Sequence, residues 1–138
     1  FAWFDIHKYE EQLNDDFEAE WFLINERPKL IFDHDQMVAD ARKKLRYKAA
    51  LHPILFEMLP KKFTIPQLHI LFEEVNDTKI DTRNFSRKIT STKLLIKLNE
   101  KDKLGSKKGA YYYKLDKKEY KANAQAFLNL IPNIKTLG

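Results

Sequence analysis

Two stretches of this chain carry apolar residues at helical spacing and are separated by only "TKI": "IPQLHILFEEVND" (65–77) and "DTRNFSRKITS" (81–91). Helices joined by so few residues must turn sharply and pack on one another, which is the spacing of a helix-turn-helix. The first stretch turns Leu68, Leu71, Phe72 and Val75 inward. Thr64 stands at its N-cap, Pro66 in its first turn and Gln67 three residues after the cap, a capping box in sequence. The second hides much less. At helical steps Phe85 and Ile89 lie about 40° apart with Thr82 beside them. Arg87 is at the centre of the opposite arc, flanked by Arg83, Ser91, Asn84 and Thr90. Asp81 occupies the N-cap position, where its carboxylate can accept free amides of the first turn.

The residues after the second helix give its polar arc a purpose. "KLLIKLNE" and "AYYYKLD" are strand-like, and "KDKLGSKKG" between them places Gly105 and Gly109 where a tight turn needs them. Lys101, Lys103, Lys107 and Lys108 project from that tip. A helix-turn-helix and then a hairpin with a cationic tip describe a winged helix. Its second helix, about 81–92, would enter the major groove of double-stranded DNA. Arginine's fork suits guanine and asparagine suits adenine, so Arg83, Asn84 and Arg87 are the candidates for base edges. Ser86, Lys88, Thr90 and Ser91 are candidates for phosphates, and the wing lysines for phosphates or the minor groove.

Charge agrees with this division. Residues 1–40 hold 11 acidic and 3 basic residues, a net of −8, whereas residues 41–138 hold 22 basic and 9 acidic, a net of +13. The basic part is a candidate for a polyanionic partner. Disulfides and thiolate metal sites are excluded by the absence of cysteine, which fits a cytoplasmic protein. No run approaches the ~20 apolar residues that cross a bilayer, and no membrane partner is expected. The chain starts at Phe1, not methionine, and reads as a piece of a longer protein. Catalysis has little support: His7, His34, His52 and His69 show no ligand spacing, and there is no Ser-His-Asp order. His69 reads as a satisfied, partly buried residue, and His34 between Asp33 and Asp35 as part of a helix start. No cofactor and no catalytic or metal-binding residue is expected.

The remaining elements are simpler. Phe1–Ile6 and Trp21–Ile24 are dominated by aromatic and branched residues and predict two strands, with Trp3 and Trp21 in a small sheet core. A helix is expected from Asp33 to about Lys48, with Met37, Val38, Ala41, Leu45 and Ala49 as its stripe. "HPILFEMLP" predicts a compact helix turning Ile54, Leu55, Met58 and Leu59 inward, "KKFT" a short extended piece, and Lys117–Leu130 a last helix.

"AEWFLINERPKLIFDHDQMVADARKKL" resembles the end of the Nudix domain in the Nudix-related transcriptional regulators, where a tryptophan strand leads to an "FDH" helix. Met58–Pro60, Phe63 and Thr64, Asp81–Lys88 and Asp102–Lys114 continue the resemblance into the winged helix. The expected architecture is α+β, mainly α: residues 1–48 as a two-strand plus helix remnant of a Nudix-like effector domain, and residues 49–138 as a winged helix-turn-helix with its β-hairpin wing. The resemblance implies a transcriptional regulator of metabolic genes, repressor-like, acting as a homodimer on a palindromic operator. It also implies a small-molecule effector, a sugar or an ADP-ribose-like nucleotide, bound by the N-terminal domain. The Nudix signature of a glycine followed by spaced glutamates does not occur in this sequence, so no enzymatic activity is expected of it. The alternatives are the C-terminal part of a Nudix hydrolase, or a winged-helix interaction module that binds no DNA.

Overall fold

Five helices and three short strands make up the described residues, 20–104 and 109–130, of the computed structural model. Along the chain these are α1 (His34–Leu51), α2 (Ile54–Glu57), β1 (Phe63–Thr64), α3 (Ile65–Asn76), α4 (Thr82–Ser91), β2 (Leu95–Asp102), β3 (Ala110–Leu115) and α5 (Lys117–Leu128). The chain separates into two compact units, residues 1–38 and 39–138.

In the first unit the expected strand at Trp21–Ile24 does not form. Residues 21–23 have no regular structure and residues 24–26 turn, the Glu26 amide donating to the Leu23 carbonyl at 2.8 Å. A strand needs a neighbour to pair its amides and carbonyls, and no neighbour lies among the described residues; the other expected strand, Phe1–Ile6, lies outside them. Trp21, Phe22 and Leu23 are 45%, 51% and 69% exposed. Arg27 organises the approach to α1 by donating to the Ile24 carbonyl at 3.1 Å and to Asp35 Oδ1 at 2.7 Å. The other oxygen of Asp35 accepts from the Leu30 amide.

The second unit is built on aromatic residues. Phe63, Phe72, Phe85 and Phe127 are all fully buried, together with Leu55, Leu68, Ile89 and Leu94. Within α2 the structure corrects the expected inward face: Leu55 and Phe56 are buried, Ile54 is half-buried, and Met58 and Leu59 pack on the core from the side. The helix lasts only four residues and Met58 closes it, its amide donating to the Ile54 carbonyl, so no further turn follows to carry Leu59 inward. The α3 cap is the expected one. Thr64 Oγ1 accepts from the Gln67 amide while Gln67 Oε1 accepts from the Thr64 amide, closing a capping box. The last helix ends at Leu128 and is interrupted at Asn123, whose backbone (φ −140°, ψ 41°) is not helical.

The turn from α3 into α4 is fixed from three sides. Asp77 ends α3 in the left-handed region at φ 50°, which aspartate tolerates better than most residues. Its carboxylate accepts from Arg46 at 3.0 Å and faces Arg42 at 3.7 Å, tying α1 to the end of α3. Glu73 Oε1 accepts from the Ile80 amide at 2.8 Å, and its Oε2 from Lys79 Nζ at 3.1 Å. His69 Nε2 donates to the Ile80 carbonyl at 2.8 Å, so this buried histidine is satisfied by the turn, as its place on an amphipathic helix suggests.

The sheet has the order β1-β3-β2 and is antiparallel throughout. Lys97 pairs with Tyr113 but Lys101 pairs with Tyr111, so β2 carries extra residues between them. Such a bulge bends the strand and sharpens its twist. The hairpin turn starts with Asp102 Oδ1 accepting from the Leu104 amide at 3.0 Å and returns through Gly109 at φ +70°. A Cβ there would lie 3.1 Å from the Asp102 carbonyl oxygen, so glycine answers both the dihedral and the contact.

This packing has two measurable consequences. Phe85 is 1% exposed, with ring centroids 4.9 Å from His69 and 5.2 Å from Phe72; Phe85→Ala should cost about 3–5 kcal/mol, seen as a large drop in denaturant midpoint. The Ile80 amide, then Lys79, hold the Glu73 carboxyl below the usual carboxylate range. A depressed folded-state pKa stabilises above the unfolded carboxylate's pKa, and that stabilisation disappears as pH falls through the folded value. Glu73→Gln should therefore lower the melting temperature at neutral pH and flatten its decline below about pH 4.5. An unchanged acid limb in thermal melts would contradict this role.

Candidate nucleic-acid interface

The outward face of α4 is set by how the helix begins and what it buries. Asp81 Oδ1 accepts from the Asn84 amide at 2.8 Å, which fixes the first turn and satisfies one of its open amides. Phe85 and Ile89 anchor the inner side at 1% and 0% exposure. With this register held, Thr82, Arg83, Ser86, Arg87, Thr90 and Ser91 line one open face. Arg83 and Arg87 stand one turn apart and are solvent-exposed, so both guanidinium forks can meet a ligand without leaving a core.

The structure places the other expected residues less uniformly. Asn84 is half-buried on the flank shared with Lys79, Asp81 and Lys88, and its Oδ1 accepts from Arg87 Nη2 at 3.3 Å. That bond steers the Arg87 guanidinium. Lys88 is exposed on the same flank. The Thr90 hydroxyl donates to the Ser86 carbonyl and the Ser91 hydroxyl to the Lys88 carbonyl, each at 2.7 Å. As these side chains stand, their protons are committed to the helix and their oxygens can only accept.

In the wing, Lys101 is exposed on β2 and Lys103 comes soon after it, also exposed, while Lys107 and Lys108 lie outside the described residues. The structure adds a group that strand patterning did not single out. Lys97 Nζ lies 3.6 Å and Lys101 Nζ 4.5 Å from the ring centroid of Tyr111. Two ammonium groups held at one aromatic ring are restrained in a way a free surface lysine is not. The signal existed in sequence: positions 97 and 101 share strand parity, and Tyr111 is the aromatic across the turn. The two-residue shift in register is what no reading of alternation supplies.

No cluster of three or more potential metal ligands occurs among the described residues, and no helix among them is long and apolar enough to cross a membrane.

Comparison with known proteins agrees with this geometry. Residues 55–115 match the family described as the NrtR DNA-binding winged helix domain. The ADPR responsive transcriptional repressor NtrR of Acinetobacter baylyi is 22% identical over 125 residues, covering 89% of this chain and 50% of that protein. The crystal structure of Shewanella oneidensis NrtR complexed with a 27mer DNA superposes with a TM-score of 0.51 at 26% identity, covering 69% of this chain and 43% of that one. The chain thus spans about half the length of the curated relative it matches. The similarity to NrtR is therefore to its DNA-binding winged helix domain, over residues 55–115 of this chain.

Proposed function

We propose that this chain is the DNA-binding part of a transcriptional regulator, repressor-like, that reads duplex operators through α4 and the wing. The observation that carries the reading is the pair of exposed guanidinium groups, Arg83 and Arg87, on a helix whose opposite side is locked by Phe85 and Ile89. A helix of this diameter fits the major groove, and arginine forks match the acceptor pair of guanine. Arg87 and Arg83 are the base readers. Asn84 acts first by orienting Arg87, and reaches adenine only if that bond is released. Ser86 and Lys88 contact phosphates, Thr90 and Ser91 do so after turning from their carbonyls, and Lys101, Lys103, Lys107 and Lys108 supply the wing's phosphate contacts.

The relative from Acinetobacter baylyi is named as ADPR-responsive, and the NrtR from Shewanella oneidensis was crystallised in complex with DNA. These support a regulator whose preceding, Nudix-like domain binds the effector and ends within residues 1–48 of this chain. We assign the whole protein a cytoplasmic homodimer on a palindromic site, the pairing that gives each operator half its own α4.

Affinity of the 138-residue chain for operator-like duplex should fall steeply with salt. About four to six phosphate contacts per winged helix give a log–log slope near −4 to −5, measurable by fluorescence anisotropy; a flat response would remove the electrostatic basis of the reading. Arg87→Ala should cost about 1–3 kcal/mol on selected sites and relax sequence preference. Lys101→Gln with Lys103→Gln should weaken all duplexes alike and make the salt slope shallower by about 2. Unchanged preference in Arg87→Ala, scored by site selection on random duplexes, would move base reading off this face.

A further inference from the structure

Away from α4, residues of α2, β1, β3 and α5 enclose a groove of about 780 Å³, a volume in the range of binding clefts. Phe56, Phe63 and Tyr120 lie beneath it, buried, with Leu59 and Leu115 partly buried beside them. The aromatic base is packed: Phe56 lies 5.9 Å from Phe63 and 6.0 Å from Tyr120, centroid to centroid. This base is rigid and apolar.

Its rim is cationic. Lys61, Lys114, Lys117 and Lys121 line the groove with a single carboxylate, Glu57. None of the four lysines forms an ion pair among the described residues, although elsewhere the same surface pairs its lysines: Lys62 with Glu100, and Lys79 with Glu73 and Glu74. The four come from a loop, a strand and successive turns of a helix. One small anion could face one or two of them, whereas an extended chain with carboxylates along its length can face all four. The phosphates that line the outside of duplex DNA gain nothing from the accessible apolar residues Pro53, Leu59, Pro60 and Leu115. None of these residues belongs to the α4 face or to the Lys97–Tyr111–Lys101 group.

From this combination we infer that the groove docks an acidic peptide segment bearing bulky apolar side chains, contributed by a partner protein. The apolar side chains lie on Pro53, Leu59, Pro60 and Leu115, the accessible apolar residues above the buried aromatic base, and the carboxylates face the lysine rim. Because the surface is separate from α4, the domain can hold duplex and partner together.

A fluorescein-labelled synthetic peptide alternating glutamate with phenylalanine and leucine serves as the probe, titrated with the full chain and read by anisotropy. Saturable binding is expected, weakened about tenfold by the combined change Lys114→Gln, Lys117→Gln and Lys121→Gln. It should weaken about as much when serine replaces the probe's apolar residues. The same variant should retain duplex affinity to within about twofold, since it leaves the α4 face intact. Four results would each overturn the inference: no saturable binding; equal binding by the variant; equal binding by the serine peptide, which means charge attraction alone; or a parallel loss of duplex affinity, which makes these lysines phosphate contacts. Loss of duplex binding by Arg87→Ala with peptide binding intact separates failure of this inference from failure of the DNA reading.

Discussion

The orientation of α4 depends on one carboxylate. A turn of a few residues between two helices leaves the last carbonyls of one and the first amides of the next without helical partners. Here the Asp77 and Thr78 amides return to the Glu73 carbonyl, while the Glu73 side chain takes the Ile80 amide and Lys79. His69 closes the other side of Ile80 by donating to its carbonyl. Ile80, held at both its amide and its carbonyl, fixes where the chain enters Asp81 and therefore where α4 starts. The rotation of Arg83 and Arg87 about the helix axis is set by that start, since Phe85 and Ile89 can be buried in only one register.

This dependence explains which parts of the fold were legible in the sequence. Caps are local and use few residue types, so Thr64 with Gln67, and Asp81, announced their helices and were found in those roles. The apolar stripe of α3 and the two buried residues of α4 were legible for the same reason. Glu73 was not, because its partner is a backbone amide seven residues on, and a backbone amide leaves no trace in sequence. Trp21–Ile24 failed in the opposite sense: strand-like composition fits a pleated surface but cannot create a neighbouring strand. In α2, pattern reading assumed a helix that continued through Leu59, whereas the helix stops at Glu57 and Phe56 takes the inward position.

The candidate site was legible as a set of exposed residues, and the structure rearranges how some of them are held. Arg83 and Arg87 stand where helical phase puts them. Asn84 has the right chemistry for adenine, yet its nearest use is to hold Arg87, a bond that helical spacing permits and cannot demand. Thr90 and Ser91 are outward-facing hydroxyls in sequence but donors to their own helix in the structure. The wing differs again. Its lysines were evident from composition, but the bulge in β2 decides that two of them share Tyr111.

Lysine abundance therefore separates into kinds once the neighbours are known. Lys62 and Lys79 are neutralised by carboxylates and serve the fold. Lys97 and Lys101 face an aromatic ring, which lowers their freedom without cancelling their charge, so they remain attractive to phosphate. Lys61, Lys114, Lys117 and Lys121 surround an apolar base with one carboxylate among them. A net charge treats these groups alike, although among the described residues the last combines cations outside any ion pair with an apolar surface. On such a surface a strongly hydrated phosphate gains Coulomb attraction alone, while an acidic segment with large apolar side chains also removes hydrocarbon from water. The two halves of that recognition reinforce each other, because each buried apolar side chain excludes water from the ion pairs beside it and lowers the local dielectric in which they act.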